Sequence, residues 1–255
     1  MTGTAVGVTV EAGIARLVLN HPPLNILTRR VLADLRQELD TLAAQPTVRV
    51  AVLMAAGGHF SAGADVAEHL PPLHTTLIPE FVDTVAALDA FPLPCIAAVR
   101  GQCLGGGFEL IQAADLIVAG ESATFGQPEI RLGVIPPAAC VLLPLRVPAS
   151  LAGQIVYSGD AIGAADAARA GLVSRVVPDA EVDTAALDLA GRIARHSGAA
   201  LRLAKRGLRG PGADARAAAL RHAGELYLAR VMSTADALEG LRSFVEKRRP
   251  SWSHA

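Results

Sequence analysis

Aromatic and charged side chains are scarce in this sequence of 255 residues. Aromatic residues occupy 4% of the positions and charged residues 18%, while apolar residues in total occupy 51%. A chain so rich in apolar residues and so poor in charge is expected to fold around a core and not to remain disordered. The shortage of aromatic rings predicts a core built mainly from small aliphatic side chains.

Cysteine and net charge are also low. The three cysteines, Cys95, Cys103 and Cys140, are an odd number without a C-x-x-C pair, which argues against a disulfide framework or a zinc ribbon. The 23 basic and 24 acidic residues leave a net charge of −1. Because such a chain creates no general field that attracts polyanions, nucleic-acid binding is not expected.

Long hydrophobic runs are missing as well. No segment approaches the roughly 20 apolar residues that a membrane-spanning helix needs. The opening, MTGTAVGVTVEAG, does not have the basic residues followed by an apolar stretch that mark a secretory signal. We therefore expect a soluble cytoplasmic protein that does not associate with membranes.

Short apolar strands alternate with helical patterns along the first two thirds of the chain. Strands are predicted at Val6–Val10, Ile14–Leu19, Val48–Met54, Cys95–Val99, Leu116–Val118 and Leu172–Val177. The intervening helices are predicted after Thr28 (as N-cap), over Leu77–Phe91 and from Gly105. This alternation predicts an α/β fold with mainly parallel strands.

Beyond about Pro178 the sequence contains only alanine-rich helical patterns. They cover Ala185–Arg195, Ala200–Arg209, Ala213–Met232 and Thr234–Lys247. We predict a core over residues 1–195 and a helical region over residues 196–255, which packs on that core or on a neighbouring subunit.

Two strand-to-helix junctions rich in small residues are the first candidates for chemistry. They read VLMAAGGHFSAGAD, ending at Asp65, and CIAAVRGQCLGGGFE, ending at Glu109. Helix-opening N–H groups lack partners within the helix, so two adjacent junctions could form an oxyanion hole. Taken alone, each junction is better explained as a turn in which glycine allows close packing of helix and strand.

Two other interpretations of these junctions fail on the residues themselves. Gly101–Gly107 does not spell G-x-G-x-x-G, because position 103 is cysteine, so a dinucleotide site is not indicated. His59 stands two residues before Ser61 where a nucleophile elbow needs glycine.

Two glutamates lie in apolar surroundings. Glu109 follows the second junction, and Glu129 lies within FGQPEIRLG. Paired carboxyl groups beside an oxyanion hole suit proton transfer next to a carbonyl, with one ionised as base and one kept protonated as acid. The alternative for each glutamate is a structural hydrogen bond.

Histidines and basic residues are less informative. His69 and His74 do not have the spacing of a metal site, so we predict none. One helical face is predicted to carry a basic stripe of Arg202, Lys205, Arg206 and Arg209. A solvated helix face accounts for the stripe, and an anionic ligand tail or RNA is the alternative.

The segments HFSAGAD, RGQCLGGGFEL and FGQPEIRLGVIP, in this order and spacing, resemble the enoyl-CoA hydratase/isomerase (crotonase) superfamily. The resemblance covers nearly the whole chain. It implies a crotonase-like spiral of ββα units with a C-terminal helical trimerisation region, assembled as a homotrimer or a dimer of trimers. It also implies an acyl-CoA thioester substrate and no metal or redox cofactor.

The resemblance further implies roles for individual residues. The N–H groups of Ala64 and Gly106 would bind the thioester oxygen, and Glu109 and Glu129 match the two catalytic glutamates of the hydratases. Substrate contacts are expected at Ala62, Asp65, Val66, Gly105 and Pro136. The implied activity is addition of water across a double bond conjugated to the thioester.

The chain departs from typical hydratases after the second glutamate. A glycine-rich stretch is replaced by PPAACVLLP, which begins at Pro136, and the chain is thereby similar to cyclohexa-1,5-diene-1-carbonyl-CoA hydratases. A lysine that often follows the GAD motif is missing here, which leaves Arg29, Lys247 and Arg248 as candidates for the CoA phosphates. The alternatives are a Δ3,Δ2-enoyl-CoA isomerase and a non-catalytic RNA-binding protein on the same scaffold.

Overall fold

The structure, a computed structural model, describes residues 5–255. The strands of its larger sheet are β1 (Val6–Glu11), β2 (Ile14–Leu19), β3 (Val50–Ala55), β4 (Cys95–Val99), β6 (Leu116–Gly120) and β9 (Arg175–Val177). Their spatial order is β1-β2-β3-β4-β6-β9. The hairpin β1–β2 is antiparallel, and every other neighbouring pair is parallel, as predicted.

A smaller sheet stands beside the larger one. It contains β5 (Gln102–Leu104), β7 (Thr124–Gly126) and β8 (Ile162–Gly163), in the order β5-β7-β8. The sequence patterns did not predict these strands, because two or three residues are too few to show a period. Strand β5 lies within the second junction and ends directly before Gly105, so its pairing with β7 helps to position Gly105.

The larger sheet is buried on both faces. Leu53 and Ala97 point into the main core, whereas Val52 and Ile96, their neighbours in the strands, pack against helix α7 (Val182–Ala194). A parallel sheet covered on both faces needs continuous apolar strands, which explains the runs seen in the sequence.

Helices cover this sheet and complete the chain. Within residues 5–255 the others are α1 (Arg29–Ala44), α2 (His74–Asp89), α3 (Gly106–Gln112), α4 (Pro137–Leu142), α5 (Ala149–Ser158), α6 (Ala164–Arg169), α8 (Gly198–Arg209), α9 (Ala213–Leu226) and α10 (Ala235–Val245). Thr28 caps α1 as predicted, since its side chain accepts a hydrogen bond from the Val31 N–H. None of the helices in this part of the chain combines the length and apolarity needed to cross a bilayer.

The C-terminal helices pack on the rest of the protein. Leu220, Tyr227 and Leu241 belong to the main core. The helix predicted over Ala213–Met232 is interrupted, because α9 ends at Leu226 and a π-helical turn, Tyr227–Val231, follows. Where an independent C-terminal region begins, and whether it contacts a neighbouring subunit, remain predictions.

Helix α10 touches the segment that follows the smaller sheet. A Cβ atom on Gly240 would overlap the carbonyl oxygen of Leu132, so only glycine permits this approach. Leu132 ends the 3₁₀ helix Pro128–Leu132, which contains Glu129. The C-terminal helix is therefore packed directly against the turn that carries one of the candidate catalytic glutamates.

Candidate active site

Hydrogen bonds tie the first junction to the segments beside it. The Leu27 N–H donates to the Gly63 carbonyl at 2.9 Å, and the Leu104 N–H donates to the Ser61 carbonyl at 2.9 Å. The second bond joins the two glycine-rich junctions to each other. These junctions are more than 40 residues apart in sequence and adjacent in space.

The two junctions bring the N–H groups of Ala64 and Gly106 together. A Cβ atom on Gly106 would lie 3.3 Å from Ala64 N, so a side chain there would crowd the space beside both amides. Gly106 is the first residue of α3, and its N–H has no partner inside the helix. Neither N–H donates to another group within residues 5–255. Two adjacent unpaired donors can bind one oxygen atom that carries negative charge.

Glu109 lies in the first turn of α3 and is 3% exposed. Its Oε1 accepts hydrogen bonds from the N–H groups of Ala138 at 2.7 Å and Ala139 at 3.0 Å. Both donors belong to the first turn of α4, where N–H groups lack partners within the helix. The carboxylate is thus oriented by backbone atoms.

Glu129 packs against the second junction. Its Oε1 would lie 2.7 Å from a Cβ atom on Gly105, and the φ angle of +49° at Gly105 also favours glycine. Gln127 is fully buried beside it. With the Gln127 amide nitrogen toward Glu129, that nitrogen lies 3.1 Å from Glu129 Oε2, and the amide oxygen accepts from Gln112 Nε2 at 3.1 Å.

Both carboxyl groups hold protons more tightly than exposed glutamates. Burial raises the pKa of Glu109 to about 7, although its two backbone donors act in the opposite direction. Burial, together with the charge of Glu109, raises the pKa of Glu129 well above its ordinary value. Because the two groups influence each other, they titrate as a pair. The backbone donors favour the ionised form at Glu109, so the shared proton is expected to remain on Glu129.

The two amides and the two glutamates line a cavity of about 470 Å³. Of the predicted substrate contacts, Ala62, Val66 and Gly105 also line it, whereas Asp65 and Pro136 do not. The Asp65 carboxylate accepts instead from the Ala67 N–H at 2.9 Å, and Pro136 precedes α4. The apolar part of the lining includes Leu77, Ile78, Phe81, Val134, Ile135 and Leu241.

The segment that departs from typical hydratases forms α4 and part of the cavity wall. Pro137 lines the cavity, and Ala138 and Ala139 supply the donors to Glu109. The residues that stand in place of a glycine-rich stretch therefore lie next to the Glu109 carboxyl group. Which acyl group this wall selects remains a prediction.

Several residues of the site were missed by the sequence analysis. Asn25 is buried and donates from Nδ2 to the carbonyls of Ala56 and His59, both at 2.9 Å, which supports the approach to the first junction. His69 lines the cavity, and Tyr227 contacts the His69 ring. No sequence pattern links these positions, because they meet only through the tertiary fold.

The candidates for CoA phosphates are mostly engaged in ion pairs. Arg29 bonds both carboxylate oxygens of Glu80, at 2.9 and 3.1 Å. Arg248 lines the cavity but pairs with Glu239 and Glu246. Contact between either arginine and CoA remains a prediction.

The basic stripe on α8 is not a uniformly solvated face. Lys205 is 7% exposed, and its Nζ lies 2.7 Å from Asp115 and 2.8 Å from the Leu93 carbonyl oxygen. Arg209 pairs with Asp89 at 2.6 Å. These two cations hold α8 on the core, which the sequence could not show because their acidic partners lie about 90 to 120 residues away.

Known proteins resemble this chain over nearly its whole length. A family profile described as "Enoyl-CoA hydratase/isomerase" matches residues 9–255. The chain is 39% identical to cyclohexa-1,5-dienecarbonyl-CoA hydratase of Thauera aromatica over 245 residues, which covers 96% of this chain and 94% of that protein. It is also 39% identical to 2,3-dehydroadipyl-CoA hydratase of Escherichia coli K12 over 248 residues, covering 96% and 97%.

The fold agrees as well. The crystal structure of an enoyl-CoA hydratase/isomerase from Pseudoalteromonas atlantica T6c superposes with a TM-score of 0.90 at 29% identity, covering 98% of this chain and 100% of that one. The predicted crotonase-like fold and the similarity to cyclohexadienecarbonyl-CoA hydratases are confirmed. The chain belongs to the enoyl-CoA hydratase/isomerase family.

Proposed function

We propose that this enzyme adds water across a double bond conjugated to a CoA thioester. The observation that carries the proposal is one cavity that joins two unpaired backbone N–H groups, at Ala64 and Gly106, with two buried glutamates, Glu109 and Glu129. Hydration needs a stabiliser for the enolate oxygen, a base for water and an acid for the α-carbon, and these four groups are of the right kind for each task.

The amides act first. The N–H groups of Ala64 and Gly106 bind the thioester oxygen, which makes the β-carbon electrophilic and stabilises the negative charge that develops on the oxygen. One such donor typically contributes about 2.7–4 kcal/mol to transition-state stabilisation.

The glutamates then move the protons. Ionised Glu109 takes a proton from water, and the hydroxide adds to the β-carbon while electrons shift to the thioester oxygen. Protonated Glu129 gives its proton to the α-carbon, or to the vinylogous carbon of a conjugated diene. Because hydration changes no net oxidation state, the proposed reaction needs no redox cofactor. We propose that it needs no metal either, because the two amides polarise the carbonyl and Glu109 activates the water.

The acyl group that we propose is a cyclic diene carboxylate. The similarity to the Thauera aromatica hydratase and the altered segment from Pro136 support it. The equally similar Escherichia coli protein bears the name of a linear dehydroadipyl ester, so a panel of substrates is needed. Crotonyl-CoA, longer linear enoyl-CoA esters and cyclohexa-1,5-diene-1-carbonyl-CoA should be compared by thioester absorbance. Turnover of linear esters alone would exclude the cyclic substrate and leave the hydratase proposal intact.

Rates of the two glutamate variants separate a hydratase from an isomerase. A Δ3,Δ2-enoyl-CoA isomerase would need Glu129 and tolerate Glu109→Gln. We expect both Glu109→Gln and Glu129→Gln to abolish hydration, and near-normal rates in both variants would refute the mechanism.

Homotrimeric assembly, or a dimer of trimers, is part of the proposal. Helix α8 leaves Leu203 66% exposed and Leu208 85% exposed, and burying such side chains against another subunit would be favourable. Sedimentation velocity should give the mass of a trimer or hexamer, and a monomer would contradict this part of the proposal.

A further inference from the structure

His69 is a polar side chain in the cavity wall that the hydration mechanism does not use. It ends the short helix Ala67–His69 and lines the cavity together with Leu77, Ile78 and Phe81. An aliphatic acyl chain would be held by these three apolar neighbours alone. The imidazole therefore requires another explanation.

A backbone carbonyl fixes the tautomer of His69. Its Nδ1 lies 2.8 Å from the Asp65 carbonyl oxygen, which can only accept, so Nδ1 carries the hydrogen. Burial lowers the pKa of His69 and favours the neutral ring. Nε2, on the other edge of the ring, is then an acceptor without a proton.

The Tyr227 ring packs against this ring and carries an unused donor. The two ring centroids are 6.1 Å apart, and the rings are tilted by 58°. Tyr227 is 1% exposed, and its hydroxyl has no hydrogen-bond partner within residues 5–255. A buried hydroxyl without a partner is costly, so it calls for a ligand or a functional reason.

Both glutamates influence the Tyr227 phenol. Burial and the charges of Glu129 and Glu109 raise the pKa of Tyr227, so the phenol lies within electrostatic reach of both glutamates and keeps its proton. The charged groups that influence His69 are instead Asp65 and His74.

We propose that His69 and Tyr227 form a subsite for a hydroxyl group on the acyl chain, beyond the reacting double bond. A hydroxyl both donates and accepts, so it can satisfy an acceptor nitrogen and a donor phenol together. A carbonyl oxygen only accepts, so it could pair with the Tyr227 phenol alone. A methyl group could pair with neither residue. His69 already lines the cavity; Tyr227 does not, and binding at its covered hydroxyl would require the wall beside His69 to open. The subsite rests on the proposed function, because it specifies which acyl chains the same cavity takes.

The test compares trans-2-hexenoyl-CoA with esters that carry a hydroxyl at C4, C5 or C6. We expect kcat/KM for at least one hydroxylated ester to exceed that of the parent by about tenfold, the scale of one hydrogen bond to a buried partner. His69→Leu should reduce this ratio to about one, and Tyr227→Phe should reduce it at least threefold. His222→Leu is the matched control, since the exposed His222 on α9 does not line the cavity, and it should leave the ratio unchanged.

Binding gives a readout that does not depend on turnover. Dissociation constants for the same esters are measured by calorimetry in the Glu109→Gln, Glu129→Gln double variant, with and without His69→Leu. Equal affinities for parent and hydroxylated esters would overturn the subsite, even if hydration proceeds normally. Tighter binding through His69 in a protein that hydrates no ester would refute the hydratase proposal and leave the subsite standing.

The thermal stability of Tyr227→Phe tests the role of the phenol separately. Removing a hydroxyl that has no partner should leave Tm unchanged or raise it, while the selectivity for hydroxylated esters falls. A lower Tm together with unchanged selectivity would show that the hydroxyl has a structural role and would remove Tyr227 from the subsite.

Discussion

The Glu109 carboxylate accepts a hydrogen bond from the Ala138 N–H at 2.7 Å. The same oxygen, Oε1, also accepts from the next N–H of α4, so backbone atoms fix the orientation of the group. Burial favours protonation and these donors favour ionisation, and the balance holds the pKa of Glu109 at about 7. A carboxylate with a pKa near neutrality is well matched to the work of a general base.

Replacement of either glutamate by glutamine should remove hydration. Glutamine keeps the side-chain volume but cannot transfer the proton, so we expect kcat to fall by about 10²–10⁴-fold in Glu109→Gln and in Glu129→Gln. The double variant should be only slightly slower than the slower single variant, because the two groups act as a unit. Rates are measured with crotonyl-CoA. Glu121→Gln, at an exposed position, is the control and should retain the wild-type rate.

The pH dependence of kcat/KM should contain an acid limb from Glu109. Because its ionised form is the proposed base and its pKa is about 7, log(kcat/KM) should rise with unit slope up to about pH 7. Loss of the proton from Glu129 should lower activity again at higher pH. A flat profile between pH 5 and 8, measured under conditions in which the protein stays folded, would contradict these roles.

The contribution of Glu109 to the free energy of unfolding should fall as pH rises, whereas activity rises over the same range. The folded pKa of Glu109 is raised from 4.5 to about 7, so its protonated form contributes stability that is complete below pH 4.5 and is lost as pH rises to about 7. Glu109→Gln does not titrate. Relative to wild type, it should therefore gain about 1–3 kcal/mol in free energy of unfolding between pH 4.5 and pH 8, as measured by urea denaturation. An identical pH dependence for both proteins would be inconsistent with the raised pKa.

Much of this architecture could be predicted from local patterns. The main strands, the Thr28 cap and the two junctions follow from apolar runs and small residues, because those signals arise within a few residues of one another. The family motifs also placed Ala64, Gly106, Glu109 and Glu129, which the structure brings to one cavity.

The rest depends on contacts between distant segments. The smaller sheet consists of strands of two or three residues, and their pairing comes from the fold around them. His69 meets Tyr227 across more than 150 residues, and Lys205 meets Asp115 across 90. No pattern in a single sequence specifies such pairs.

Gly105→Ala should damage the site through Glu129. The added Cβ atom would lie 2.7 Å from Glu129 Oε1 and would impose a φ of +49° on alanine, so we expect a loss of at least 10-fold in kcat and of about 1–3 kcal/mol in stability. Gly191→Ala is the matched control, because that helical glycine has open space around its Cβ position. It should raise stability by about 0.5–1 kcal/mol and preserve activity, as judged by unfolding and rate measurements.

Lys205→Met should destabilise the fold without altering the cavity. It leaves the Asp115 carboxylate without its closest cation, the Lys205 Nζ at 2.7 Å, and we expect a loss of about 3–5 kcal/mol in the free energy of unfolding. Arg206→Met, on the same helix but exposed, should change stability by no more than about 0.5 kcal/mol. Equal effects of the two substitutions in chemical denaturation would show that Lys205 contributes only as a surface charge.

The contact between Gly240 and Leu132 has a consequence for protein synthesis. The turn that carries Glu129 packs against α5 and α10, and its contact with α10 can form only after that helix has left the ribosome, more than 100 residues after Glu129 itself. A nascent chain that has already formed its sheets would still lack this support for Glu129. We therefore expect activity to depend on the presence of α10, because Glu129 lies on the turn that this helix supports.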